Sequence, residues 1–377
     1  MGIVVDSVTK TFQGEAALKE VSLEVEDGAF MTILGPSDAG KTTLLRIMCG
    51  IDMPDRGRVF FDGKDVTKEA VQKLPVAMVY QQFINYPSMS VYENIASPLR
   101  LGGKKLSKGE IDRKVRENAQ LLGLSQVLDH FPEEISGGQK QRVAIARALT
   151  KEAKFTFLDE PLANLDYKLR EELRGELKNI LRQKGGVVVY ATPDPVDVLS
   201  MATHVAYLQE GEILQVGEME DVYRMPRLAD VGNYFSYPSM NLMQGKLHVH
   251  GDRHILHLSQ EVSVDVTEYA DRLHRSEYIV GVRAYNLKQT RERPDMVPMS
   301  VSVRLAERIG SDTELHLEHY SSQLVMLVEE FADSDLDESI EVYLDPKRLF
   351  LYDTSTRELV LKTDEPENNG PRAEARG

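Results

Sequence analysis

Ile135-Ser136-Gly137-Gly138-Gln139-Lys140-Gln141-Arg142-Val143-Ala144-Ile145-Ala146-Arg147-Ala148-Leu149, followed after a short turn by Phe155-Thr156-Phe157-Leu158-Asp159-Glu160, is the stretch that decides how this chain is read. Gln139 to Leu149 predicts a helix. Ser136, Gly137 and Gly138 stand at its N-terminus, where N–H groups and a hydroxyl point outward and suit an anion. The apolar run Phe155–Leu158 predicts a buried strand, and the acidic pair at its end is either a simple strand cap or a source of hard oxygen ligands. What lies upstream separates these readings.

Upstream, Gly35-Pro36-Ser37-Asp38-Ala39-Gly40-Lys41-Thr42 has the P-loop spacing of a glycine, four residues, then Gly-Lys-Thr, with Thr43 next. Phe30 to Leu34 reads as a short buried strand before it and Thr42 to Cys49 as a helix after it, the context that such a loop requires. Successive backbone N–H groups of the loop curl around phosphates, and the positive end of the helix dipole faces them. Lys41 adds a mobile cation for the outer phosphate oxygens. The Thr42 hydroxyl and the Asp159 carboxylate are the oxygen ligands that Mg²⁺ prefers, and Glu160 is placed to polarise an attacking water.

The Ser136–Gln139 turn, the Phe155–Glu160 strand and the P-loop together are identified as those of an ABC-type ATPase. The resemblance implies an α/β P-loop ABC ATPase domain with a helical subdomain, ATP as substrate and Mg²⁺ as cofactor. It implies that Phe12 and Gly35 through Thr43 bind ATP, and that Thr42, Gln81 and Asp159 hold the metal. Gln81, preferred to its neighbour Gln82, would sense the metal and the γ-phosphate, and Glu160 would be catalytic with it. Phe12, in Thr9-Lys10-Thr11-Phe12, aligns with the aromatic that stacks on adenine, although a core position is equally open to it. Ser136, Gly137, Gly138 and Gln139 would grip the γ-phosphate bound to a second subunit, and Ala163-Asn164-Leu165-Asp166 would cross to that subunit. The working site would then exist only in a dimer.

Two departures from the family pattern sharpen the reading. After the predicted strand Val187–Tyr190 the family places Thr-His-Asp, and this chain has Thr192-Pro193-Asp194. Proline has neither an N–H nor a side-chain donor, so it cannot orient a phosphate or a water. His204 lies beyond a short helix around Val196–Met201 and cannot substitute. Asp38 occupies a position where the family has glycine, and its carboxylate opposes the phosphates. Both point to a slow or regulatory site of its own, with the intact Ser136–Gln139 turn serving a companion ATPase subunit that keeps the histidine. A homodimer that tolerates the loss is the alternative.

Composition fits a subunit without membrane spans of its own. The 377 residues, 42% of them hydrophobic, suffice for more than one core, and the formal net charge of −15 argues against nucleic acid as a partner. No apolar stretch approaches the roughly 18 residues of a membrane span, and no signal-peptide layout is seen. A cytoplasmic chain, peripheral to the inner membrane, is expected. Cys49 is the single cysteine and reads as a small packing residue.

Strand and helix signals alternate to about residue 235, with the helical subdomain at about 88–150, where Val91–Arg100 and Ser107–Leu122 look helical. Leu169, Leu173, Leu177 and Leu181 form an apolar stripe of ordinary core packing. From 236 to 362 short strands separated by turns predict a second, all-β domain, and 363–377 reads as a disordered tail. Gly281-Val282-Arg283, Ile309-Gly310-Ser311 and Leu344-Asp345-Pro346-Lys347-Arg348-Leu349 resemble the OB-type regulatory and dimerisation domain of carbohydrate importer ATPases. His248, His250, His254 and His257 are expected as solvated strand residues, since the hairpin turn at Gly251-Asp252 puts His254 on the face opposite the other three.

Almost the whole chain is thus similar to ATPase subunits of bacterial sugar and polyol importers. The segments Met78–Met89, Tyr92-Glu93-Asn94-Ile95, Asn164–Arg170 and Tyr190-Ala191-Thr192 resemble those of glycerol importers with two non-identical ATPase subunits. The partners implied are a companion ATPase subunit, two transmembrane permeases contacted through the Gln81–Tyr92 region and, indirectly, an extracytoplasmic solute-binding protein. A soluble ABC ATPase that acts as a regulator without a permease is the rival reading.

Overall fold

The computed structural model describes residues 2–101, 106–163, 165, 167–309, 312–329 and 338–363. The expected tail from 364 onward, the turn at Gly310-Ser311, and Asn164 and Asp166 lie outside the described residues, as does the Leu169 side chain. Thr363, assigned to the tail, is buried, and its hydroxyl accepts from the Leu349 N–H at 2.9 Å.

The chain divides into two compact units, Met1–Met219 and Glu220–Gly377. In the first unit, a six-stranded sheet has the order Glu212–Glu218, His204–Gln209, Phe30–Leu34, Val187–Thr192, Phe155–Asp159, Val76–Val79. All neighbours are parallel except the first pair. Every residue of Phe30–Leu34 and of Val187–Thr192 is buried, as expected of parallel strands covered on both faces.

One face carries a core shared with the antiparallel sheet of Ile3–Phe12, Glu15–Val25 and Arg56–Phe61 and with the helix Lys41–Met48. The other face packs against helices Val91–Leu101, Lys108–Leu121, Gly137–Thr150 and Tyr167–Lys184. Leu173, Leu177 and Leu181 of the stripe are buried there. Cys49 is buried, and desolvation pushes its thiol up to about 12, so the packing role holds.

The second unit begins earlier than the expected boundary at 235. The helix Met219–Arg224, from Glu220 on, and the helix Ala229–Tyr234 belong with it for an identifiable reason. Ala229 sits in a cluster with Met240, Ile279, Phe350 and Tyr352. The buried Arg283 guanidinium donates to the Phe235 carbonyl at 3.2 Å and to Ser236 Oγ at 2.6 Å, and lies 3.7 Å from the Tyr223 ring centroid. Beyond these helices the unit is all-β, as expected, and consistent with a domain of the OB type. A six-stranded antiparallel sheet, which includes the hairpin Asn241–His250/Arg253–His257, shares its core with a five-stranded antiparallel sheet that includes Val297–Ile309 and Ser339–Leu344. Val249 pairs with His254, whereas the His248 ring lies 4.8 Å from that of His257 and 6.3 Å from that of His250.

Candidate functional site

Four loops leave the carboxyl ends of adjacent parallel strands, which is where such sheets place ligands. They carry the P-loop after Leu34, Pro193 after Thr192, Glu160 after Asp159, and Gln81 shortly after Val79.

The P-loop is shaped by contacts that only glycine allows. A Cβ on Gly35 would lie 2.0 Å from the Leu208 carbonyl oxygen, and one on Gly40, at φ +104°, would lie 2.5 Å from the Ala17 carbonyl oxygen. Gly40 also stands at the start of the helix Lys41–Met48, so the N–H groups of the first turn open toward the loop. Lys41 is buried, and its ammonium donates to the carbonyls of Gly35 at 3.0 Å and Pro36 at 2.8 Å. Ser37 and Asp38 are exposed and Ala39 is buried. Asp38 adopts φ 63°, a left-handed conformation in which a glycine would be unstrained.

The second half converges on the same point. Thr42 Oγ1 donates to Asp159 Oδ1 at 3.0 Å, Glu160 Oε1 lies 3.4 Å from the Lys41 ammonium, and Gln81 Nε2 donates to Glu160 Oε2 at 3.1 Å. Desolvation pushes the buried Asp159 carboxyl above its ordinary range, Glu160 adds to this, and the Thr42 hydrogen bond and Lys41 oppose it. A buried carboxylate held with a hydroxyl, an amide and a second carboxylate is a set of hard oxygen donors that fits Mg²⁺, whose charge would restore the ionised form. Glu160 itself has φ 44°, an uncommon conformation for a non-glycine residue.

The Ser136 turn lies in a further loop, ahead of the helix Gly137–Thr150. Its helix begins at Gly137, two residues before the expected Gln139, because a capping box nucleates it. Ser136 Oγ accepts from the Gln139 N–H at 3.3 Å, and Gln139 Oε1 accepts from the Ser136 N–H at 2.9 Å. Phe12 is 47% exposed, which removes the core alternative for it. Thr43, behind Thr42, is partly buried.

Sequence reasoning missed the residues that hold these loops. Asn94 is buried, and its amide donates to the carbonyls of Tyr86, Met89 and Ser90, each at 3.0 Å, while its oxygen accepts from the Tyr86 N–H. Asn85 donates to the Lys140 carbonyl at 2.9 Å, which ties the Gln81 loop to the Ser136 helix. Behind Pro193, Asp197 accepts from the hydroxyls of Tyr190 at 3.0 Å and Thr192 at 2.8 Å and pairs with buried Arg174 at 2.8 Å. Within that network burial still pushes the Asp197 carboxyl up, with Asp194 adding to it. No spacing rule in a single sequence distinguishes such an asparagine or aspartate from a surface residue.

The ABC transporter family model matches residues 18–163. The trehalose/maltose import ATP-binding protein MalK of Thermococcus litoralis is 36% identical over 375 residues, covering 96% of this chain and all of that protein. This chain belongs to the ATP-binding proteins of ABC transporters. The sn-glycerol-3-phosphate import ATP-binding protein UgpC of Salmonella typhimurium is 33% identical, with 95% of this chain and 99% of that protein covered. Among solved structures, a dimeric ATP-binding cassette in a post-hydrolysis state with ADP and Pi matches at a TM-score of 0.53 and 31% identity, covering 58% of this chain and 98% of that one. Membership makes the chain a Mg²⁺-dependent ATPase of the ABC transport type. No helix among the described residues is long and apolar enough to cross a membrane.

Proposed function

We propose that this ABC ATPase is the energy-coupling subunit of an importer for a sugar or polyol, peripheral to the cytoplasmic face of the inner membrane and bound to two permeases. MalK and UgpC are import ATP-binding proteins matched over nearly their whole length, which supports a transporter subunit over a free regulator. Within this class we favour glycerol as solute and a companion ATPase subunit as partner.

In this reading the P-loop from Gly35 to Thr43, through its N–H groups other than at Pro36, and the Lys41 ammonium hold the phosphates, and Phe12 receives the adenine. Thr42, Asp159 and Gln81 hold Mg²⁺, which when bound neutralises charge on the transferring phosphoryl group. Glu160, which accepts from Gln81 Nε2 at 3.1 Å, orients the attacking water. The Ser136–Gln139 turn, with its hydroxyl and N–H groups at a helix N-terminus, stabilises the γ-phosphate of the subunit opposite.

The observation that carries the companion subunit is Pro193. It occupies the loop beside Glu160, and the flanking Asp194 is committed to capping the helix Pro195–Met201, accepting from the Val196 N–H at 2.9 Å. Neither residue offers a donor side chain to the phosphate. Turnover of the chain alone should be slow and should rise at least about tenfold on co-expression with its companion or in Pro193→His. Full turnover of the unmodified chain alone would refute this.

A further inference from the structure

The strands that end in Asp159 and Thr192 are neighbours, with Asp159 paired to Ala191, and the Glu160 N–H donates to the Ala191 carbonyl at 2.9 Å. Beyond that bond each strand runs on into a loop. One continues through a turn in which the Ala163 N–H reaches the Glu160 carbonyl at 3.2 Å; the other enters Pro193, which has no N–H to offer.

We infer that Arg170 is a positioning residue that fastens the loop leaving Glu160 to the loop carrying Pro193. It lies in the first turn of the helix Tyr167–Lys184. Its Nη2 donates to the Ala163 carbonyl at 3.2 Å and its Nη1 to Asp194 Oδ2 at 3.4 Å. The two nitrogens of one rigid fork therefore span both loops. Asp194 is a fixed anchor for the fork, because its N–H donates to Thr192 Oγ1 at 3.0 Å and its other oxygen caps the following helix.

Arg174, one turn on, does not duplicate this role. It lies 3.6 Å from Asp194 Oδ2 and 2.8 Å from Asp197. Apart from Glu171 on its own helix, its described ion pairs are with the Pro193 side, whereas Arg170 also touches the Glu160 side. The side chains of Arg170 and Asp194 are 30% and 26% exposed, so this contact adds little to stability. Its effect is geometric. A water held by Glu160 must stay in line with the phosphorus, and a displacement of about 1 Å costs up to about a hundredfold in rate. In a chain with no histidine at position 193, the Arg170 fork is a side-chain link between these loops.

The inference rests on the proposed role of Glu160, and the experiment separates the two. Turnover, KM for ATP and Tm are measured for the full chain alone, in which every site carries these residues, in Arg170→Ala, Arg170→Lys, Asp194→Asn, the double variant Arg170→Ala/Asp194→Asn and Glu160→Gln. We expect Arg170→Ala to lower kcat about tenfold or more, with KM within about twofold and Tm unchanged. Arg170→Lys, which keeps the charge but can reach one partner at a time, should fall between, and should serve alone if Arg170→Ala fails to fold. The double variant should be no slower than the slower single one. A kcat within twofold of the wild type in Arg170→Ala, or a loss carried by KM or Tm, overturns the inference while Glu160→Gln stays inactive. Retained turnover in Glu160→Gln would instead overturn the reading of the site.

Discussion

Replacing Asp38 by asparagine should tighten MgATP binding. Asp38 sits at φ 63°, a conformation that asparagine tolerates as well as aspartate, so the substitution removes the charge and keeps the backbone. At a separation of about 6 Å and an effective dielectric near 20, the carboxylate opposes each unit of phosphate charge by about 3 kcal/mol. Its side chain is exposed, so salt and solvent screen this, and Lys41 and Mg²⁺ offset it further, leaving about 1 kcal/mol. That is about a fivefold decrease in Kd. Calorimetric titration with MgATP at low and high ionic strength is the assay, and the gain should shrink as salt rises. Asp38→Gly should bind as tightly as Asp38→Asn. Wild-type or weaker affinity of Asp38→Asn at low salt would refute the electrostatic reasoning, and a gain confined to Asp38→Gly would assign the effect to backbone strain.

Ser136→Ala removes one half of the capping box and the hydroxyl proposed to reach the subunit opposite; Tm should fall by the equivalent of about 1 kcal/mol, whereas ATP turnover should fall at least about tenfold. Arg174→Ala leaves Asp197 buried without its 2.8 Å partner and should cost about 3–5 kcal/mol in chemical denaturation. Asp353 accepts from the Ser355 hydroxyl and from the N–H groups of Thr356 and Ser355, which holds its carboxyl down at about 2. Because the folded value lies below the ordinary carboxylate range, its stabilising effect is complete above about pH 4 and is lost as pH falls toward 2. Thermal unfolding between pH 5 and 2.5 should therefore steepen less in Asp353→Asn than in the wild type.

The nucleotide-binding elements were legible because phosphate binding constrains the backbone. Gly35 and Gly40 have no room for a side chain, Lys41 and Thr42 follow at fixed spacing, and Asp159 ends a strand buried at every position but Thr156. The two-part division was legible from the change in hydrophobic period. Its boundary was not, because Ala229 and Phe235 look like part of an alternating α/β chain until Arg283, 48 residues beyond Phe235, is seen to hold the Phe235 carbonyl. The staples were hidden for the same reason. Asn94 to Tyr86, Asn85 to Lys140 and Arg170 to both Ala163 and Asp194 are contacts set by tertiary placement, and their residue types are common on surfaces. Pro193 shows the converse, since an absent donor can be read directly from the sequence.

The central claim is that ATP is enclosed by the P-loop of one subunit and the Ser136 turn of another. Turnover by a mixture of Lys41→Ala and Ser136→Arg chains tests this most directly, because a mixed dimer restores one intact pairing from two defective copies. The account predicts that each variant alone is inactive and that activity appears on mixing. A mixture no more active than its components, or a Ser136→Arg chain with wild-type turnover, would contradict it.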